Sequence, residues 1–164
     1  MEGKLQSWWP LPLRVLLGIS FMVHGAPKIF DMAVHTGFAA SLHQMGIPLA
    51  GLMAWVAGLV ELFGGLALLV GLFTAEAAAL LVIEMLVAMF KVHLAAGFAA
   101  INVIGTSPEG VPQFGLPGAE LSLLYIVGLL ALFIGGPGPL SIEQRTAPES
   151  RLRPPWLRQH PVHA

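Results

Sequence analysis

Long apolar runs, each carrying only a few charged residues, are the first pattern along the chain. Four such runs occur, separated by stretches richer in glycine, proline and polar residues. A helix needs roughly 20 residues to cross the hydrocarbon core of a bilayer, and its backbone polar groups must be bonded within the segment. The pattern therefore predicts four membrane-spanning helices, the last being the shortest: Leu11–Phe30, Leu49–Phe73, Ala75–Phe98 and Ala119–Gly135.

The segments between the runs complete the predicted architecture. Asp31–Pro48 has apolar residues at roughly helical spacing with polar groups between them, which is typical of a short amphipathic helix on the membrane surface. Ala99–Gly118 is rich in glycine and proline and is expected to be an irregular loop outside the hydrocarbon. Thr74 is expected to N-cap the third span. The predicted fold is all-α: an integral membrane four-helix bundle with a short amphipathic outer-side helix between spans one and two.

Composition agrees with a membrane protein whose main partner is the lipid bilayer. The chain has 164 residues, of which 56% are hydrophobic and 10% charged, and its mean hydropathy is +0.79. Its net charge of −1 gives no electrostatic footprint for a nucleic acid. It has no cysteine, which excludes disulfides, thiol redox pairs and cysteine-ligated metal centres. Electron transfer in this chain would need a quinone, a haem or a flavin.

Basic residues predict the orientation. Six of the eight lysines and arginines flank the start of the first span or follow the fourth. The positive-inside rule then places both termini in the cytoplasm and the chain in the inner membrane. We expect a membrane domain over residues 1–143 and an Arg- and Pro-rich cytoplasmic tail over 144–164. The six residues are Lys4, Arg14, Arg145, Arg151, Arg153 and Arg158.

Ionisable side chains inside the spans predict a polar site between the helices. Such groups are costly to bury in a bilayer, so they face a partner or a polar cavity. At 1.5 Å per residue, His24 lies about 20 Å from the cytoplasmic end of the first span, and Lys28 about 26 Å. The same estimate divides the ionisable residues into a midplane group of His24, Glu61 and Glu84 and an outer group of Lys28, Lys91, His93 and Glu120.

Glycine spacing indicates how the second span packs. Gly51, Gly58 and Gly65 recur every seven residues on one helix face, and Glu61 lies on that face. Small residues let helix backbones approach closely in membranes. Glu61 is therefore expected to face a neighbouring helix and to lie near groups of the first span, His24 or Lys28.

Interpretations without chemistry stay open. The charged groups could pair only to fix helix register, and Lys28 could extend to the interface. His24 and His93 lie at different depths and no attachment motif is present, which argues against a haem. The spacing of His35, His43 and His93 forms no metal-binding motif, so no metal site is predicted.

Several motifs resemble the DoxX family of small bacterial four-helix membrane proteins. They include an arginine-to-lysine signature in the first span, a glutamate followed by a glycine pair in the second, and a histidine before Gly-Phe at the end of the third. The similarity covers about residues 14–143, with Ala119 where an aromatic is usual and Glu143 in place of an aspartate. The quoted segments are Arg14, Gly18 and Phe21–Lys28, then Glu61–Gly71, His93, Gly97 and Phe98, then Pro117–Glu120 and Gly136–Glu143.

The resemblance implies a redox setting. Relatives are named as the membrane subunit of a thiosulfate:quinone oxidoreductase, or are linked to a membrane oxidoreductase complex with superoxide dismutase and a sulfurtransferase. It therefore implies a redox-associated membrane subunit that binds a quinone-like molecule, with a soluble redox protein or a second copy as further partners. In this hypothesis the catalytic residues are Glu61 and His24, and the ligand-binding residues are Lys28, Glu84, Lys91, His93 and Glu120.

Two other classes of function compete with this hypothesis. Midplane charges also mark ion paths, so a small transporter or permease-like protein is one alternative. A non-catalytic anchor or assembly subunit for soluble redox proteins is the other. Whether the chain is an enzyme, as a subunit of a quinone-linked oxidoreductase, is left open by the sequence.

Overall fold

The computed structural model describes residues 8–146, and this part of the chain is mostly helical. The helix that begins at Thr74 continues beyond Ala88 as a π-helical turn, Met89–His93, and a 3-10 turn, Leu94–Ala96. A short hairpin, β1 (Val103–Thr106) and β2 (Pro112–Phe114), precedes the helix that begins at Ala119. The helices are α1 (Pro10–Phe30), α2 (Met32–Gln44), α3 (Ala50–Val70), α4 (Thr74–Ala88), α5 (Ala119–Gly135) and α6 (Ile142–Thr146).

Three helical segments of the described chain are long and apolar enough to cross a membrane. They are α1 and α3, with 21 residues each, and the 23-residue stretch Thr74–Ala96 that begins with α4. The fourth predicted span, α5, has 17 residues, which is at the lower limit for crossing the hydrocarbon core. The chain is thus a membrane protein with several apolar helices. That α5 also spans, and that α2 lies amphipathically on the surface, stay predictions.

The closest helix contact joins α1 and α3 through glycines. A Cβ atom on Gly65 would lie 2.7 Å from the carbonyl oxygen of Gly18, and one on Gly25 would lie 2.5 Å from the backbone nitrogen of Leu62. Because neither helix can move away without losing contact elsewhere, only glycine fits at these positions. Gly51 is different, since no atom lies within 4 Å of a Cβ built there. The predicted glycine ladder therefore does not include Gly51.

A shared apolar core holds the apolar helices together. The ring of Phe21 on α1 meets that of Tyr125 on α5 edge to face, with centroids 5.4 Å apart. Around this pair, buried side chains from α1, α3, α4 and α5 form one cluster: Leu17, Phe21, Leu68, Ala77, Ala78, Leu81, Leu129 and Leu132. Packing among these helices brings the ionisable residues of α1, α3 and α4 together.

The loop before α5 is more regular than predicted. Val103 pairs with Phe114 and Thr106 with Pro112 in an antiparallel hairpin, which corrects the expectation of an irregular segment. The reason is local: β-branched and aromatic residues favour strands, and Gly110 takes a left-handed φ of 81° in the turn. Glycine and proline content alone did not reveal these two short strands.

The N-terminus of α4 is capped by a distant residue. Phe73 precedes the helix with φ 51°, so Thr74 is the first helical residue and the N-cap predicted for it is wrong. The backbone N–H of Thr74 donates to Oε1 of Glu143 at 2.6 Å, and the backbone N–H of Glu143 donates to the carbonyl of Gly71 at 3.0 Å. A carboxylate brought by α6 thus does the work expected of a local hydroxyl.

Both ends of the described chain lie at one end of the helices. The ring of Trp9 contacts Gly135, and Pro10 contacts Gly138. This is the arrangement expected if the termini share one side of the membrane, but which side stays a prediction. Four of the six counted basic residues lie outside the described residues, as does most of the predicted tail. These four are Lys4, Arg151, Arg153 and Arg158.

Candidate functional site

An ion pair between α1 and α3 is the centre of the site. The ammonium of Lys28 lies 2.5 Å from Oε2 of Glu61, and both side chains are largely buried. The same ammonium lies over the ring of Phe38 on α2, 4.3 Å from its centroid. The predicted proximity of Glu61 to Lys28 is confirmed.

Glu84 of α4 completes the cluster and differs from the other two groups. Its carboxyl lies within electrostatic range of Glu61 and Lys28. Its Oε2 atom is buried and has no hydrogen-bond partner among the residues the structure describes. A buried polar atom without a partner is destabilising, by about 1–3 kcal/mol in typical cases. A proton or a bound molecule could supply the missing interaction.

Two adjacent cavities meet at Glu84. The larger has a volume of about 340 Å³, and nine of its ten lining residues are apolar. The smaller, of about 140 Å³, contains the charged groups Lys28, Glu61, Glu84 and Lys91. The apolar lining residues of the larger cavity are Leu42, Ile47, Met53, Val56, Ala57, Val60, Leu80, Ile83 and Val87. An apolar chamber thus adjoins a charged one, with Glu84 in the wall of both.

The larger cavity opens between α3 and α4. Val56, Leu80, Ile83 and Val87 line it and are nevertheless exposed. Because α3 and the stretch beginning with α4 both have membrane length, this opening faces the lipid if the two segments span the bilayer. A hydrophobic molecule would then enter from the membrane.

Helix α2 covers the charged cavity. His35 is 6% exposed, its Nδ1–H donates to the carbonyl of Lys28 at 2.9 Å, and its ring lies against Trp55 with centroids 4.2 Å apart. At the C-terminal end of α2, the carbonyl of Met45 accepts a hydrogen bond from the exposed Lys91 of the π-helical turn at 3.3 Å. No sequence pattern predicted a role for His35. The signal for its position was Asp31, which caps α2 directly after α1 and so turns α2 back toward the other helices.

His24 is not part of this cluster. The side chain is exposed on α1 and makes no hydrogen bond within the described part of the chain. Gly25, the next residue, packs against Glu61 and Leu62 of α3, and because consecutive residues of a helix point about 100° apart, the side chain of His24 is turned away from this contact. The predicted interior position of His24 is therefore wrong, and its catalytic role stays a prediction without neighbouring groups.

His93 and Glu120 form a separate polar region near the start of α5. Nδ1 of His93 lies 2.5 Å from Oγ of the buried Ser122. The carboxylate of Glu120 accepts from the backbone N–H of Ala100 at 2.8 Å. Neither residue lines the two cavities. The structure thus divides the predicted outer group, since Lys28 and Lys91 reach the charged cavity and His93 and Glu120 do not.

Arg14 is a buried residue whose importance the sequence did not reveal. Its side chain is 1% exposed and donates to backbone carbonyls, whereas its position in the sequence had placed it among the basic residues that flank the start of the first span. Nε donates to Leu68 at 3.0 Å, and the remaining acceptors are Leu69, Pro137, Pro139 and Leu140. Arg14 thus joins α1 to the end of α3 and to the segment after α5.

Within residues 8–146, no group of three histidines and carboxylates is placed to hold a metal ion. The side chains of this cluster can take part in hydrogen bonding, charge pairing and proton exchange. The ammonium of Lys28 can donate, Glu61 can accept, and Glu84 can do either, depending on its proton.

Apolar helices of membrane length with ionisable groups between them define a helical integral membrane protein. A model of the DoxX family matches residues 9–94, and the chain belongs to this family. The match includes Arg14, Lys28, Glu61 and Glu84. The resemblance inferred from the motifs is confirmed.

Two curated relatives are similar over most of their length. An uncharacterized protein of Haemophilus influenzae is 29% identical over 142 residues, which cover 87% of this chain and 93% of the relative. An uncharacterized membrane protein of Mycobacterium tuberculosis is 32% identical over 138 residues, covering 81% of this chain and 78% of the relative. No solved structure matches the chain significantly.

Proposed function

We propose that this protein is a redox-associated membrane subunit that binds a quinone-like molecule. The apolar part of the ligand lies in the larger cavity and its polar head lies at Lys28, Glu61 and Glu84. The observation that carries this proposal is that Glu84 lines both cavities, so the apolar chamber leads directly to the charged groups. A molecule with a hydrophobic body and a polar head matches this division.

The hydrogen-bonding capacity of Lys28 supports a carbonyl head. An ammonium has three N–H donors. One is directed at Glu61, and the contact with Phe38 needs no donor of its own. A further donor is therefore available to a carbonyl oxygen while the ion pair with Glu61 stays intact. With His24 on the outside of α1, Lys28 remains as the predicted donor at this site.

Proton transfer falls to the two carboxyl groups. Reduction of a quinone requires protons at its oxygens, and a carboxyl group within reach can deliver them. Glu84 faces the ligand chamber, and Glu61 lies behind it, next to Lys28. The electrons would come from a soluble redox partner, consistent with the role of a membrane subunit.

Binding of decylubiquinone to the protein in lipid nanodiscs tests the proposal. Ala57 lines both cavities, so Ala57→Leu places a larger side chain at their junction. We expect decylubiquinone affinity to fall about tenfold or more, because the ligand cannot occupy both chambers. Ala40→Leu adds the same group on the exposed side of α2 and should leave affinity unchanged.

Two results would contradict the proposal. If wild-type protein binds no decylubiquinone above protein-free nanodiscs, or if Ala57→Leu binds as well as Ala40→Leu, the cavities are not a quinone site. Mass spectrometry of molecules extracted from the purified protein gives an independent measurement, in which a quinone should be present in the wild type and depleted in Ala57→Leu.

A further inference from the structure

Two lysines and two glutamates line the two cavities, but none of the other three groups is bonded to Glu84. Lys28 is bonded to Glu61 at 2.5 Å. Lys91, exposed at the rim, donates to the carbonyl of Met45, and the Nδ1–H of His35 is used by the carbonyl of Lys28. Lys28 and Lys91 both hold other partners, and neither is bonded to Glu84 within the described residues.

The larger cavity presents this carboxyl to an otherwise apolar space. Glu84 is one of the ten lining residues, and the other nine are aliphatic or methionine side chains. A volume of about 340 Å³ is near the lower end of the 300–1,000 Å³ that ligand sites usually have. The cavity therefore suits a compact hydrophobic body, and the only polar feature it offers such a body is a carboxyl group.

We propose that the larger cavity binds a compact hydrophobic molecule carrying one positively charged ammonium group, with Glu84 as its counter-ion. An ammonium N–H would supply the hydrogen bond that Oε2 of Glu84 lacks and would balance its charge in one contact. Charge-assisted hydrogen bonds of this kind are roughly twice as strong as neutral ones, and more so away from water. When no cation is bound, a proton on Glu84 can fill the same role.

A hydrophobic cation fits this site better than a metal ion. Ca²⁺ takes six to eight oxygen ligands and Mg²⁺ an octahedron of them. One carboxyl in an aliphatic wall cannot provide such a shell. An anionic ligand is also disfavoured, because it would meet the unpaired carboxyl of Glu84 directly.

This inference does not depend on quinone binding. A quinone head accepts hydrogen bonds and uses the ammonium of Lys28, whereas a ligand ammonium donates and uses the carboxyl of Glu84. The two ligands share the apolar chamber and should compete for it, but they recognise different groups. Either can therefore fail while the other holds.

Three probes with the same cage separate charge from shape. 1-Adamantylamine, 1-adamantanol and 1-adamantanecarboxylate share one hydrophobic body and are cationic, neutral and anionic at neutral pH. Calorimetric titration of wild-type protein in neutral-lipid nanodiscs, with protein-free nanodiscs subtracted, should show the amine binding about tenfold or more tightly than the alcohol. The carboxylate should bind least. An alcohol that binds as tightly as the amine overturns the proposal, with no variant needed.

A pair of isosteric substitutions on α4 assigns the charge preference. Glu84→Gln keeps the shape of the side chain and should reduce amine affinity to that of the alcohol, leaving alcohol affinity unchanged. Glu76→Gln removes an exposed carboxylate from the first turn of the same helix and should behave as wild type. Glu84→Asp, which retains the charge, should keep a preference for the amine.

The outcomes separate this inference from the quinone proposal. A preference for the amine that survives Glu84→Gln overturns the assignment. Decylubiquinone bound by a protein that shows no amine preference overturns the inference and leaves the proposed function in place. If the protein binds the amine through Glu84 but binds no decylubiquinone, the inference is supported and the proposed function is overturned.

Discussion

Two buried cations on α1 lie in very different surroundings. Arg14 and Lys28 are fourteen residues apart, which is about 21 Å along a helix, and each meets α3. Arg14 donates to five backbone carbonyls of its own chain, and no cavity adjoins it among those described. Lys28 has one carboxylate and one ring, and beside it Glu84 keeps a buried oxygen without a partner.

The comparison distinguishes a structural charge from a functional one. Where every donor and acceptor is satisfied by the protein, the group fixes helix positions and leaves nothing for a ligand. An unsatisfied donor or acceptor beside a cavity lowers local stability, and such groups are expected at functional sites. By this criterion the site proposed above lies beside the ion pair of Lys28, whereas Arg14 leaves no group for a ligand.

Arg14 also explains how α3 ends in an apolar setting. The last carbonyls of a helix lack partners within it and carry partial negative charge. Two of them, from Leu68 and Leu69, accept from the guanidinium. A side chain of α1 therefore caps the C-terminus of α3. The positive-inside count loses one of its six residues by this assignment, because a charge satisfied inside the protein does not report orientation.

Removal of Arg14 should have the largest effect on stability. Arg14→Met removes the guanidinium donor from five carbonyls, although that of Leu68 still accepts from the backbone N–H of Gly71 at 3.2 Å, and breaking a buried charged network typically costs about 3–5 kcal/mol. We expect the variant to unfold at a much lower temperature in detergent, or to fail to fold. Arg145→Met, on the exposed face of α6, is the matched control and should melt as wild type does. A melting temperature of Arg14→Met near the wild-type value would show that the carbonyls find other donors.

The glycine contact between α1 and α3 comes next, because it holds both cations in place. Gly65→Ala introduces a Cβ atom 2.7 Å from the carbonyl oxygen of Gly18, so the helices must separate. Overpacking of this kind typically destabilises by about 1–3 kcal/mol. Gly51→Ala meets no atom within 4 Å and should be neutral or slightly stabilising, since alanine favours helix. Equal melting temperatures for the two variants would contradict the observed contact.

The sequence predicted the elements better than the contacts between them. The apolar runs located α1, α3, α4 and α5, because length and hydropathy are local properties. Likewise, the Glu61 position on a glycine face correctly indicated a partner on α1. Which of His24 and Lys28 that partner would be depends on a helix rotation of about 40°, which the apolar pattern does not define.

The interactions of Arg14 and Glu143 were missed because they are long-range. Arg14 donates to carbonyls more than fifty residues away, and Glu143 caps α4 although 69 residues separate it from Thr74. Backbone carbonyls carry no sequence signature, so their convergence on Arg14 could not be inferred. The cavity beside Glu84 is likewise a property of packing, even though Glu84 itself was identified as an ionisable midspan residue.

Glu61→Gln should have a smaller effect than either structural variant, and it probes how the cluster redistributes its charges. The amide oxygen can still accept from Lys28, while the lost charge can be replaced by Glu84. We expect a loss of about 1–2 kcal/mol, since hydrogen bonds to charged groups contribute about 1.5–3 kcal/mol and part is retained. If Glu61 transfers protons, the variant should also bind decylubiquinone normally but lose quinone-dependent turnover, because an amide does not exchange protons at neutral pH.

A double-mutant cycle measures the redistribution. Glu84→Gln in the Glu61→Gln background removes the replacement counter-ion of Lys28, so the double variant should lose more stability than the two single variants predict. Additive effects would mean that Glu84 cannot reach Lys28. Full turnover with glutamine at position 61 would reduce Glu61 to a structural partner of Lys28.

Glu84→Gln alone should have the smallest effect on stability and the largest on ligand choice. The carboxyl has a buried oxygen without a partner, so its replacement by an amide of the same shape removes a charge, leaves an equally unpartnered polar atom and breaks no hydrogen bond among the described residues. We expect the free energy of unfolding to change by less than about 1 kcal/mol, in either direction, because no charged contact is lost. Thermal melting in detergent, measured beside Glu76→Gln, checks this expectation. A large loss of stability would show that Glu84 is held by a partner within the protein, as Arg14 is. In that case Glu84 would be structural and the ammonium ligand would have no unsatisfied group to bind, whereas Lys28 would still offer a donor to a quinone.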